Sequence, residues 1–273
     1  MHSVAVGFER HLVVVEAEDE RVIDRVRRSF RQLLVTGPSD SVEVIRLQPS
    51  VGGYELTLDG EQVFEHADIG EVVRLLRHEI IGSFVRRRPD LLWLHAGATV
   101  RDGKAVLFVG PYGRGKSTLV TQLCLRGWRY ASDDIVPVNL ATQHILAFPL
   151  TPIVREDIGE ELPHERLTEL RKIRISLPDS AFHRDPVPIG AVVLPCYRIG
   201  VGARLEPYSP AAVALDIVRE GINAEENAAA TVALCARLVD QVPVMPITFS
   251  DPEAAADLVE ARLQATERRA LSR

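Results

Sequence analysis

The stretch Gly110-Pro111-Tyr112-Gly113-Arg114-Gly115-Lys116-Ser117 has the residue types and spacing of a phosphate cradle. It fits G-x-x-x-x-G-K-[ST], in which glycines let the backbone curl until successive N–H groups point inward at phosphate oxygens. Lys116 is then placed to reach the β- and γ-phosphates, and the Ser117 hydroxyl to ligate Mg²⁺; Thr118 closes the stretch expected to contact nucleotide. A glycine-rich turn alone would be a weak signal. Here the apolar run Ala105-Val106-Leu107-Phe108-Val109 precedes it and a helical pattern with Leu119, Val120, Leu123 and Cys124 on one face follows. Strand before and helix after are the context the cradle requires, because the helix N-terminus adds its dipole to the anion site.

Phosphoryl transfer also needs a metal held against the phosphates and a group that orients or deprotonates the acceptor. Asp133-Asp134 supply two adjacent carboxylates ahead of a short apolar stretch, Ile135 to Val138. Common phosphate-loop ATPases place the metal-associated acid after such a run. Ser117 and one of the paired acids, Asp134 by preference, can supply hard oxygen ligands for Mg²⁺, which leaves Asp133 free to act as general base. The plainer alternative is a turn or strand-start pair, since aspartate is common at both. His95 sits in the apolar run Leu91 to Val100, where a lone histidine is more often a packed core residue than a catalytic one.

Leu94-His95-Ala96, the glycine loop, Arg126-Gly127-Trp128 and Ser132-Asp133-Asp134 together resemble the kinase domain of HPr kinase/phosphorylase and the wider HPr-kinase-like set. The resemblance is good over about 91–155 and loose over 185–260. It implies a phosphate-loop kinase fold of the HPr kinase/phosphoenolpyruvate carboxykinase type, with ATP and Mg²⁺ as cofactors. It implies phosphate binding by Lys116, Mg²⁺ at Ser117, Asp133 as base, Asp134 as metal-associated acid, and His95 near the active site. Arg155 falls where related sequences carry a basic residue, and so becomes a phosphate contact. Thr118 stands where HPr kinases typically have glutamate, and a Glu-Ile-Arg-Gly signature is missing from 155–200. Both point to the divergent relatives, some of which resemble kinases of peptide serines. The acceptor implied is then a Ser or Thr hydroxyl of a protein or peptide, with a small-molecule alcohol as the alternative. The related kinases form homo-oligomers, which extends to this chain as an implication. Two rival readings are a nucleotide-binding scaffold or ATPase without transfer, and a carboxykinase-like lyase.

The elements that must position these residues read as α/β. Over 1–88, alternating stretches at Val4 to Phe8, Leu12 to Val15, Val42 to Leu47 and Tyr54 to Leu58 predict strands. Helical spacing spans Asp19 to Leu34 and Asp68 to about Arg87. This is a small α+β module, suited to substrate recognition, ahead of a catalytic domain over 89–273. In the latter, Leu91 to Val100 reads as one strand with His95 in its middle, and about 155–185 as a solvent-facing excursion. Strands follow at Ile189 to Pro195 and Val242 to Phe249. Helices are expected from Ser209 to Gly221, Ala224 to Asp240 and Ser250 to Arg268.

The chain has 273 residues and a net charge of −6 with both signs interspersed. No basic face advertises nucleic acid and no polybasic tract an anionic membrane. Cys124, Cys196 and Cys235 are far apart in apolar stretches and read as reduced core thiols. No apolar run approaches a bilayer's thickness, and the start lacks a basic-then-apolar leader, so a cytoplasmic protein is expected.

Overall fold

The computed structural model describes residues 1–35, 39–155 and 171–271. The chain divides into two compact units, Met1–Pro89 and Asp90–Arg273. Together they form a mixed α/β protein.

The first unit is a five-stranded sheet ordered β1 (His2–Phe8), β2 (His11–Ala17), β3 (Ser41–Ser50), β4 (Gly53–Leu58), β5 (Glu61–His66). Only β2 and β3 run parallel, and helix α1 (Glu20–Ser29) lies between them in sequence. Alternation buries Val13, Val15 and Ala17 on β2, and Ile45 and Leu47 on β3. Helix α2 (Ile69–Arg87) closes this core with Leu76, Ile80 and Phe84. Each helix starts on an aspartate, Asp19 accepting from the Arg21 N–H and Asp68 from that of Glu71, both at 2.9 Å, as N-caps do. Asp59 and Gly60 both take positive φ, at 48° and 91°, the turn that joins β4 to β5 with the twist of a two-residue hairpin.

The helix expected to run to Leu34 stops at Ser29. Leu33 and Leu34 keep helical spacing, but a short 3-10 turn over Arg31–Leu33 delivers Leu34 to a bridge with Val6 of β1. Tertiary pairing overrides the local pattern there.

The second unit is a nine-stranded sheet. Its path runs β6 (Leu91–Leu94), β10 (Val136–Asn139), β11 (His144–Ile145), β14 (Val187–Tyr197), β8 (Lys104–Val109), β7 (Ala96–Arg101), β9 (Arg129–Ser132). Strand β16 (Val244–Phe249) pairs in parallel with the far half of β14 and carries β15 (Arg204–Leu205) on its other side. Side chains of β8 alternate between two helical layers, which explains an uninterrupted apolar run. Ala105, Leu107 and Val109 face α4 (Pro210–Arg219) and α5 (Ala228–Gln241) through Val213, Ile217, Leu234 and Leu238. Val106 and Phe108 face α3 (Lys116–Leu125) and α6 (Pro252–Leu271) through Leu119, Leu123, Ala255 and Val259. Each such side chain withdrawn from water contributes about 1.5–3 kcal/mol, so the strand that ends at the glycine loop is among the least movable parts of the unit.

The run Leu91 to Val100 is not one strand. It breaks at His95 into β6, which pairs with β10, and β7, which pairs with β8 and β9. At the break the His95 N–H donates to Glu220 O at 2.8 Å instead of to a sheet neighbour. Of the excursion expected over 155–185, residues 156–170 lie outside those described. Its flanks form a ribbon of β12 (Ile153–Arg155) and β13 (Lys172–Arg174). The helix expected from Ala224 begins at Ala228. No helix among the described residues is long and apolar enough to cross a membrane.

Arg126-Gly127-Trp128, singled out by its motif, has a structural duty. Arg126 Nη1 donates to Asp257 Oδ1 at 2.5 Å and to Glu260 Oε2 at 3.1 Å, and Trp128 Nε1 donates to Glu260 Oε1 at 2.9 Å. Arg101 reaches the same Oε1 at 2.7 Å. One carboxylate on α6 thus ties down the C-terminal end of α3. Glu260→Ala strands the indole N–H of a Trp128 that is 4 % exposed. It should cost about 1–3 kcal/mol, read as a lower melting temperature; an unshifted melting curve would remove the clamp from the account.

Candidate functional site

The loop begins where β8 ends. Gly110, Gly113 and Gly115 have φ of 147°, 82° and 94°, values that side-chain-bearing residues rarely adopt. Gly115 has a second constraint: a Cβ there would stand 2.7 Å from Phe249 Cζ. As N-cap of α3 it brings no side chain to the first-turn N–H groups, which leaves the helix end open to an anion. The loop is fastened to the end of β14, where the Tyr197 N–H donates to Arg114 O at 3.2 Å and Arg114 Nη1 to Cys196 Sγ at 3.0 Å. Cys196 is therefore a half-buried thiol beside the loop, not the core thiol expected. Cys124 and Cys235 are buried, and burial pushes both thiols up to about 12.

Lys116 is 6 % exposed. Its Nζ turns back on the loop, donating to Gly110 O at 2.5 Å and Pro111 O at 3.2 Å. Burial pushes its pKa down to about 8, and Glu220 and Asp134, then Asp133, pull the other way, while Arg155 adds to the depression. The ammonium thus stands among three carboxylates and a second cation. Arg155 lies over the Tyr112 ring, 3.8 Å from guanidinium carbon to ring centre. Its Nε is buried with no hydrogen-bond partner among the described residues. Ser117 Oγ donates to Asp133 O at 3.3 Å, which brings the first turn of α3 against the paired acids. Thr118 is half-buried in the same turn.

The two aspartates differ sharply. Asp133 is 5 % exposed. Its Oδ1 accepts from Tyr130 OH at 2.6 Å and its Oδ2 from the Ile153 N–H at 3.1 Å. Burial and the neighbouring Asp133 charge hold the Tyr130 phenol far above its usual range, so Tyr130 stays a donor. Asp133 thereby anchors the strand that carries Arg155. Asp134 has a side chain 37 % exposed, its Oδ1 3.8 Å from His95 Nε2. The other ring nitrogen of His95, Nδ1, lies 2.9 Å from Glu220 Oε2.

The structure therefore brings Lys116, Ser117, Asp133, Asp134, His95, Tyr112 and Arg155 around one loop. Sequence reasoning missed Glu220, Tyr130 and Gly97. Glu220 follows a helix with no motif around it. Gly97 lies where β7 passes α3 and Asp133, and a Cβ there would come within 2.7 Å of Val120 Cγ2; the Ala96-Gly97-Ala98 run of small residues was its only trace.

No protein-family model matches the chain. No curated protein matches it in sequence. Among solved structures, the HPr(Ser) kinase/phosphatase from Coxiella burnetii is similar at 16% identity and a TM-score of 0.33, over 66% of this chain and 95% of that one.

An ammonium buried onto two neutral carbonyls contributes little to the stability of the folded chain. Lys116→Met should leave the melting temperature of the nucleotide-free protein unchanged or higher. ATP affinity should fall about 10- to 100-fold, the loss of one or two charge-assisted bonds. Calorimetric titration and melting of the same preparation check both, and unchanged affinity would sink the loop as a phosphate site.

Proposed function

We propose that this chain is an ATP- and Mg²⁺-dependent kinase that moves the γ-phosphoryl group to a hydroxyl. The observation that carries the reading is the Lys116 ammonium, withdrawn from water onto the carbonyls of its own glycine loop at an uncapped helix end. Arg155, whose buried Nε has no partner among the described residues, lies over Tyr112 of that loop. Two cations at a glycine loop that runs into an open helix N-terminus fit a polyphosphate and exceed what a single small anion needs.

Residues 110–118 would hold the β- and γ-phosphates through backbone N–H groups and Lys116, with Arg155 from the opposite side. Ser117 and Asp134 would hold Mg²⁺, which takes one or two protein oxygens alongside substrate phosphates rather than an all-protein cage. Magnesium, when bound, neutralises charge developing on the phosphoryl oxygens. The base role that the sequence assigns to Asp133 sits poorly with its buried, doubly accepting carboxylate. We give Asp133 the task of fixing Ile153 to Arg155, and leave His95, beside Asp134, as the group that meets the acceptor hydroxyl. For the acceptor we keep Ser or Thr of a protein or peptide, on the motif resemblance, with a small alcohol as the alternative. The first unit is our candidate for its recognition.

The test is incubation with γ-labelled ATP, Mg²⁺ and candidate peptides and alcohols. Label on an acceptor supports the proposal; ADP release with no labelled acceptor would favour an ATPase or scaffold. Asp134→Asn should lower transfer at least about 100-fold with ATP binding retained. Asp133→Asn keeps one oxygen, which can serve the Ile153 N–H or the Tyr130 hydroxyl but not both, and should cost about 0.5–1.5 kcal/mol of stability. Its main kinetic effect should be a raised KM for ATP. If Asp133→Asn instead lost kcat alone, at unchanged KM and stability, the two carboxylates would have to exchange roles.

A further inference from the structure

Glu220 is the charged residue of this site that no motif announces, and it touches His95 twice. Its backbone carbonyl accepts from the His95 N–H at 2.8 Å, and its Oε2 lies 2.9 Å from the ring Nδ1. A carboxylate only accepts, so that bond places the ring proton on Nδ1 and turns Nε2 toward Asp134 Oδ1, 3.8 Å away. The Glu220 side chain is 12% exposed, so water competes weakly for this bond.

Glu220 is itself held with little freedom. It caps the C-terminus of α4, its N–H donating to Asp216 O and Ile217 O at 3.3 and 3.2 Å. The next residues latch onto the strand that leads into His95. The Ile222 N–H donates to Trp93 O at 2.7 Å. The Asn223 side chain accepts from the Trp93 N–H and donates to Leu91 O, both at 2.9 Å. Gly221, bridged to Leu94, has no room for a Cβ: Ala224 Cβ would lie 2.7 Å from it and Leu92 Cδ1 3.1 Å. An asparagine side chain thus completes a strand-like ladder, and the ladder fixes the carboxylate against the imidazole. A helix end needs no such arrangement; a ring that must point one way does.

We propose that Glu220 is a positioning residue of the phosphotransfer site: it fixes His95 with the proton on Nδ1 and presents Nε2, beside Asp134, as the hydrogen-bond acceptor for the incoming hydroxyl. The catalytic half of this inference rests on the kinase reading; the orientation of the ring does not.

The experiment combines nitrogen spectroscopy with kinetics on the full chain. In ¹⁵N-histidine-labelled protein, with the His95 signals assigned by their loss in His95→Gln, long-range proton–nitrogen correlations at the alkaline end of the titration should show the proton on Nδ1. Glu220→Ala should release the ring to the Nε2–H form that an unrestrained imidazole prefers. Its kcat should fall about 10- to 100-fold, the usual loss on removing the orienting partner of a functional histidine, with ATP affinity and melting temperature retained. Glu220→Gln keeps an oxygen acceptor and should retain the Nδ1–H form with a milder loss. In a His95→Gln background, Glu220→Ala should add nothing further. A wild-type ring carrying its proton on Nε2 would overturn the inference, as would full kcat in a folded Glu220→Ala enzyme. If Glu220→Ala does not fold, the wild-type and Glu220→Gln spectra decide. If no acceptor is ever labelled, the kinase reading fails, while the spectra still show whether Glu220 sets the ring.

Discussion

A lysine ammonium taken out of water must be compensated, and much of the second unit is arranged to do so without giving Lys116 a permanent partner. Its hydrogen bonds are to two carbonyls of its own loop, and Glu220, Asp134 and Asp133 favour its charge through space. A tight ion pair would stabilise the empty protein better, but a phosphate would then have to displace it. In the proposed kinase, carboxylates that favour the charge of Lys116 without bonding it would leave the ammonium for an anion. The opposing presence of Arg155 has the same sense, since two neighbouring cations repel until a polyanion lies between them.

That arrangement depends on backbone that cannot yield. The loop sits between a strand buried on both faces and a helix fastened at its far end by Glu260, and it is bonded to the end of β14 through Arg114. Its glycines are confined by φ, and Gly115 by the Phe249 ring as well. In the proposed phosphate site, rigidity of this kind would let the loop N–H groups act on one anion rather than scatter.

The sequence made legible what is local. Glycines at fixed spacing, an apolar run on either side and aspartates at helix starts each act over a few residues, and the structure has them where the pattern puts them. The pattern could not see partners far apart in the chain. His95 reads as mid-strand because Leu91 to Val100 is apolar throughout; that the strand breaks there follows from a bond to Glu220, beyond any local window. Likewise Asp133 and Asp134 are indistinguishable side by side, and only Tyr130 and Ile153 make one an anchor while the other keeps its carboxylate half-exposed. Arg126-Gly127-Trp128 shows the converse: a motif that looked functional by association is a clamp whose acceptor, Glu260, lies on the last helix.

Long-range placement also bears on how the site divides its labour. Strand β12 brings Arg155, and Asp133 holds β12; the turn after α4 brings Glu220, and Asn223 holds that turn. In each case a residue that contacts the loop or His95 is held by a second residue that satisfies backbone N–H or C=O groups, not by packing alone. Apolar packing tolerates shifts of a few tenths of an ångström, whereas a buried amide that loses its acceptor forfeits about 1–3 kcal/mol. Polar anchoring therefore gives Arg155 and Glu220 a sharper preference for one position than the surrounding core could. The anchors themselves are what the chain's local pattern conceals, because an anchor is defined by the residue it holds and not by its neighbours in sequence.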